Sequence, residues 1–275
     1  MKLTRKIFHE QVYFYTLIAI AASLPISIFS TSMFQIILLL NWLAEGRFKA
    51  KWNRAAGNRA LWFFLLLFML HMVGMLWSED LAYGLKDMKI KLPLLILPLI
   101  LATSRPLEKR QVHRILLFFS LSVFVASMAS VMKLLGWIPG EVEGYRDLSI
   151  FMSHIRFSLM IVLTILIVVY FLFVLRNSIS RAERIFYLVG LFWFPIFLVL
   201  LKSLSGIVIA VILGFFILAR IVFEIRDQVL RFMVLVPVVM IPLFAIIYLG
   251  HSINKFYSFE ELNLEELDSH TVEGN

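Results

Sequence analysis

Long apolar runs rich in Leu, Ile and Phe recur along this chain and leave only short polar stretches between them. Runs of this kind restrict the fold sharply. A chain that is 61% apolar and 16% charged, with a mean hydropathy of +0.91, lacks the polar side chains to cover a globule in water. In lipid no such cover is needed, but every backbone polar group must then be satisfied internally, by helices or by a closed barrel. Barrel strands alternate in polarity over short segments, and these runs do not. The chain reads as an all-α, polytopic integral membrane protein.

Stretches long enough to cross a bilayer fall at about 11–28, 31–44, 61–77, 90–103, 115–135, 155–175, 185–201, 206–222 and 232–250, nine spans in all. The first two are separated by only Phe29 and Ser30 and form a helical hairpin. The fourth is short and carries Pro93 and Pro98. With the N-terminus inside, 18 of the 26 basic residues fall on cytoplasmic segments, in clusters such as Arg47, Lys49, Lys51, Arg54 and Arg59, or Arg105, Lys109, Arg110 and Arg114. The 18 acidic residues divide the other way, six inside and 12 outside. This is the bias of the positive-inside rule, and it predicts an N-terminus inside and a C-terminus outside. Omitting the fourth span would expose the 105–114 cluster and invert everything after it. Residues 1–250 thus form a multi-span membrane domain, followed by an acidic periplasmic segment, 251–275.

The formal charge of +8 and the pI near 9.8 follow from these clusters, not from a nucleic-acid surface. The absence of cysteine excludes disulfides and thiolate metal sites. No cleavage site follows the basic N-terminal start, so the first apolar run is a retained span rather than a signal peptide. No P-loop, dinucleotide fingerprint, HExxH or GxSxG motif is present. Neither a metal nor a cofactor is expected.

Topology explains the inner cations; the few outer ones call for another reason. Lys86 and Lys89 stand one helical turn apart in the stretch 78–91, which reads as a flat amphipathic segment at the outer interface. They either anchor the next span by snorkelling or contact a phosphate. Arg146 lies in the 140–147 loop. Arg156 falls at the mouth of the sixth span, where an arginine is costly unless it snorkels or faces a polar cavity, and its planar fork suits a phosphate or carboxylate. His154 beside it either caps the helix or moves a proton. Lys202, Ser203 and Ser205 crowd the short turn before the eighth span. A helix N-terminus with hydroxyls and a lysine suits an anion; a Ser/Gly turn with a snorkelling lysine is the plainer reading.

Three stretches resemble a known family: Leu39-Leu40-Asn41-Trp42-Leu43-Ala44-Glu45-Gly46 with Phe48 and Lys49; Tyr83-Gly84-Leu85-Lys86-Asp87 leading into Lys91-Leu92-Pro93-Leu94; and Ser153-His154-Ile155-Arg156-Phe157-Ser158. Together they look like bacterial O-antigen ligases and the related O-antigen polymerases. The resemblance implies a lipid-linked-sugar glycosyltransferase of the bacterial inner membrane, surrounded by membrane lipids. Such an enzyme transfers a glycan from undecaprenyl diphosphate to a lipid A-core, or to another glycan, on the periplasmic side. Outward-facing cations hold the diphosphate, and here these are Arg156, Lys202, Arg146, Lys86 and Lys89, supported by Ser203 and Ser205, with His154 as the candidate base. The family often has Ser-Arg before a Gly where this chain has Ser203-Leu204-Ser205-Gly206. It also continues into a large periplasmic loop bearing a functional His, so 251–275 is expected to begin such a loop, truncated, and the 275-residue product to be inactive alone. Two rivals belong to other classes: a transporter or flippase for lipid-linked glycans, and an inert membrane scaffold. Internal repeats and mid-bilayer charges would favour transport, and neither is evident.

Overall fold

The computed structural model describes residues 2–77, 80–139 and 145–224, together with the isolated positions 240 and 247. Regular structure among the described residues is helical, with no strand. Nine α-helices follow one another there: α1 (Lys2–Ser23), α2 (Ile28–Glu45), α3 (Phe48–Ala56), α4 (Arg59–Gly74), α5 (Leu81–Thr103), α6 (Lys109–Leu134), α7 (His154–Val169), α8 (Arg181–Leu200) and α9 (Leu204–Glu224). A 3-10 turn, Met75–Trp77, extends α4, and a π-turn, Tyr170–Val174, extends α7. Five of these rods are long and apolar enough to cross a membrane: α2, α4 with its 3-10 extension, α6, α7 with its π-turn, and α8. Their outer faces agree with that. On α4, Phe63, Leu66, Met69 and Leu70 are all exposed, which would be costly in water and is neutral in lipid.

Eight of the nine expected spans fall on helices, the first only as far as Ser23, and the ninth, 232–250, lies outside the described residues but for positions 240 and 247, as does the whole acidic segment 251–275. Three details differ from expectation. The first hairpin turns at 24–27 rather than at Phe29 and Ser30, because Ser27 caps α2 by accepting from the Ser30 amide at 3.2 Å. The 78–91 stretch and the fourth span are not separate pieces, because from Leu81 onward they form one 23-residue helix, α5. Asp80 starts it, accepting from the Tyr83 amide at 2.9 Å, and nothing between Leu81 and Pro93 breaks it. The basic stretch after α2 folds into a helix of its own, α3.

The chain divides into two compact units, 1–206 and 207–275. In the first, Tyr13, Leu17 and Ile20 share one face of α1 and pack on Leu38 of α2 and Ile100 of α5. A Ser23–Thr31 hydroxyl contact of 3.1 Å closes the α1–α2 hairpin. Ser122 of α6 donates to the carbonyl of Ala22, which ties α6 against α1. Serines line the buried side of α6, and Ser120 and Ser130 bond the carbonyls of Leu116 and Ala126 on their own helix. The small side chains let neighbouring helices approach closely without leaving polar groups unsatisfied.

One end of this unit is held by cations. Lys51 of α3 is buried and reaches the Trp42 carbonyl at 2.5 Å and the Glu45 carboxylate at 3.0 Å, lying 4.4 Å from the centre of the Trp42 ring. Arg54 donates to the Thr103 carbonyl at 2.7 Å, satisfying the end of α5. Arg105 pairs with Glu10 at 2.8 Å. These residues close the packing of α1, α2, α3 and α5, besides adding charge to one side.

Candidate functional site

The opposite end collects the starts of helices. Helix α7 begins after Ser153, whose extended backbone receives the Phe157 amide at 3.1 Å. His154 is therefore the first residue of α7, half-buried, and Arg156 lies in the same first turn, exposed. Ser158, one turn on from His154, is fully buried and donates to the Ile155 carbonyl at 2.8 Å.

The turn between α8 and α9 is pinned to this same Ser158. Helix α8 is followed by a left-handed residue, Lys202, with φ of +49°. That reversal, unusual outside glycine, lets the chain pass from α8 into α9 through Leu201, Lys202 and Ser203 alone. The Lys202 side chain is exposed, whereas Leu201 and Ser203 on either side are buried. The Ser203 hydroxyl donates to the Ser158 hydroxyl at 2.8 Å. Gly206 comes so near that a Cβ there would sit 2.6 Å from the Ser158 Cβ. A serine and a glycine thus make the two helix starts meet.

Lys133, near the end of α6, holds a third piece in place by donating to the Asp147 carbonyl at 2.9 Å. This contact, with Leu148 buried, seats the 3-10 turn Tyr145–Leu148 against α6 and α7. Arg146 belongs to that turn.

The sequence-derived residues therefore sort into two groups. The turn bearing Arg146, together with His154, Arg156, Lys202, Ser203 and Ser205, gathers around the start of α7. Lys86 and Lys89 stand near the start of α5, both exposed, on a helix whose packing is against α2, α3 and α4. The Ser203 hydroxyl is buried and donates to Ser158, which makes it a strut between the α8–α9 turn and α7. Ser205 is exposed. Ser158, Gly206 and Lys133 carry contacts that the sequence did not announce. Its hints were slight: a serine at the start of an apolar helix, and a glycine closing the stretch Ser203-Leu204-Ser205-Gly206. Neither names its partner.

Neither Arg156 nor Lys202 has an ion-pair or side-chain hydrogen-bond partner among the described residues. Arg156 thus lies in the first turn of α7, and Lys202 in the turn that meets α7 through Ser203 and Gly206. Among the described residues no group of three or more His, Asp or Glu side chains could hold a metal ion. The described structure thus defines an all-helical protein with five helices able to cross a membrane and a cationic end built on α7. No known protein family, curated protein or solved structure matches the chain.

Proposed function

We propose that the chain is an O-antigen-ligase-like membrane glycosyltransferase, acting at the periplasmic face of the bacterial inner membrane through the end built on α7. The observation that carries this reading is that the α8–α9 turn bearing Lys202 meets the start of α7 bearing Arg156, and that both cations are exposed and without acidic partners among the described residues. The donor is a glycan on undecaprenyl diphosphate and the acceptor a lipid A-core hydroxyl. The acceptor oxygen bonds to the anomeric carbon as the bond from that carbon to the diphosphate oxygen breaks. The acceptor proton passes to a base, His154 in this reading, and the negative charge stays on the departing lipid diphosphate. Arg156 and Lys202 stabilise that charge where it develops. The helices cross the membrane nine times, with the N-terminus inside.

Reconstituting the full chain with both lipid substrates tests the reading. Glycan appearing on lipid A-core supports it. Glycan lengthening on the donor lipid would make the protein a polymerase, and donor moved across the bilayer without transfer would make it a flippase. Because the 275-residue chain is expected to be inactive alone, binding decides where no transfer is seen: failure of the purified chain to retain undecaprenyl-diphosphate-linked glycan, or retention undiminished in Arg156→Ala, would overturn the proposal.

A further inference from the structure

A cleft of about 390 Å³ opens between the end of α4 and the start of α5, lined by Leu70, His71, Gly74, Tyr83, Asp87 and Lys91 among others. Its volume lies within the usual range for small-ligand sites. None of its polar side chains belongs to the cationic end on α7. We infer that this cleft binds the phosphoethanolamine head group of a membrane lipid.

The donors and acceptors on its walls select that chemistry. Lys91 and Asp87, one turn apart on α5, form an ion pair of 2.6 Å, so the cleft presents both charges side by side rather than a net positive one. A plain phosphate attracted by Lys91 would meet the Asp87 carboxylate. A ligand with a phosphate and an ammonium a few bonds apart meets an opposite charge at each end. His71 adds to the ammonium side. Its Nδ1 lies 2.8 Å from the Leu67 carbonyl, which can only accept, so Nδ1 carries the hydrogen. In the neutral ring, Nε2 is then an acceptor. Asp87 and His71 Nε2 can both accept from an ammonium, and Lys91 can receive the phosphate.

The surroundings indicate a lipid rather than a soluble molecule. From Leu61 to Trp77, α4 and its 3-10 turn are apolar but for His71, and Ser78, Glu79 and Asp80 follow in the sequence, so the cleft stands near the end of an apolar rod. Leu70 on its wall is continuous with the exposed apolar side of α4, along which acyl chains can lie. A Cβ added at Gly74 meets nothing within 4 Å, so the wall is open there.

The test equilibrates the purified full chain with equal amounts of phosphatidylethanolamine, phosphatidylcholine and phosphatidylglycerol, and counts retained lipids by native mass spectrometry. Phosphatidylethanolamine should be retained roughly tenfold over the other two, equivalent to about 1.4 kcal/mol. Phosphatidylcholine keeps the positive charge but has no N–H to donate, and phosphatidylglycerol lacks the ammonium. Asp87→Asn, nearly isosteric, should abolish the preference over phosphatidylcholine. Lys91→Gln should lower retention of all three, and Gly74→Phe should fill the cleft and do the same. Equal retention of the three lipids by the unmodified protein overturns the proposal. So does a preference that survives in both Asp87→Asn and Gly74→Phe.

Discussion

Lys51 and Arg156 are both basic residues close to a helix end, and their surroundings give them opposite work. Lys51 is only 4% exposed and holds a carbonyl, a carboxylate and two aromatic rings in place. Lys51→Met keeps the length and loses the charge, leaving the Glu45 carboxylate without its partner. A hydrogen bond to a charged group contributes about 1.5–3 kcal/mol, so unfolding in detergent should begin roughly 3–12 °C lower, at about 2–4 °C per kcal/mol. An unchanged melting temperature would show that Lys51 is a topological charge only. Arg156 is exposed and makes no ion pair among the described residues, so Arg156→Ala should leave folding intact. In a full-length homologue carrying out the proposed reaction, the same change should cut glycan transfer by roughly 30- to 1,000-fold, from about 2–4 kcal/mol of charge stabilisation. Arg156→Lys should recover part of the rate, keeping charge but losing the bidentate fork. Near-normal transfer by Arg156→Ala at equal membrane levels would make it an interfacial anchor. Sequence marked Lys51 only as an inner charge, because its partners Trp42, Glu45 and Phe48, though near in the chain, are brought onto it by the turn at Gly46 and Arg47 between α2 and α3.

At the scale of elements, the start of α7 and the α8–α9 turn are coupled through Ser158, Ser203 and Gly206. Gly206→Ala forces a Cβ against the Ser158 Cβ, and overpacking of this kind costs about 1–3 kcal/mol. Adding Ser158→Gly removes the obstructing atom and should restore part of the loss in thermal stability, although glycine within a helix costs roughly 0.5–1 kcal/mol itself. Because Ser158→Gly also orphans the buried Ser203 hydroxyl, the comparison is with the two single losses added, and a double variant no more stable than that sum would mean that the two positions do not touch. The hydroxyl pair gives an independent check by a double-mutant cycle. Ser158→Ala leaves the buried Ser203 hydroxyl without its acceptor, whereas Ser158→Ala with Ser203→Ala leaves no orphan, so the double variant should be less destabilised than the two losses added. Helix positions themselves were legible, because apolar length and capping residues act locally. The continuity of α5 was less so, since the charged stretch 86–91 has the composition of an interfacial segment, while its backbone runs on unbroken into the apolar part of the same helix. The α3 helix, short and polar, has no apolar run to announce it.

For the whole molecule, the proposed topology makes a direct prediction. Reporter fusions within 176–184 should read cytoplasmic, and fusions after Asn275 periplasmic, because nine crossings place them on opposite sides. The reverse result at either point removes the nine-span arrangement. What sequence alone determined is the class: long apolar runs force backbone hydrogen bonds inward, which makes the described chain helical and supplies five rods able to cross a membrane. It also placed the residues that stand out, His154, Arg156 and Lys202, at helix ends, because periodicity and charge are local signals. Only the tertiary structure decided which ends meet. The turn bearing Lys202 meets the start of α7 because a left-handed residue reverses the chain and a buried serine pair holds the turn. Lys86 and Lys89 stand apart because α5 packs against α2, α3 and α4. Such pairings rest on side-chain fit between distant segments, where one missing Cβ at Gly206 determines how closely the start of α9 approaches α7.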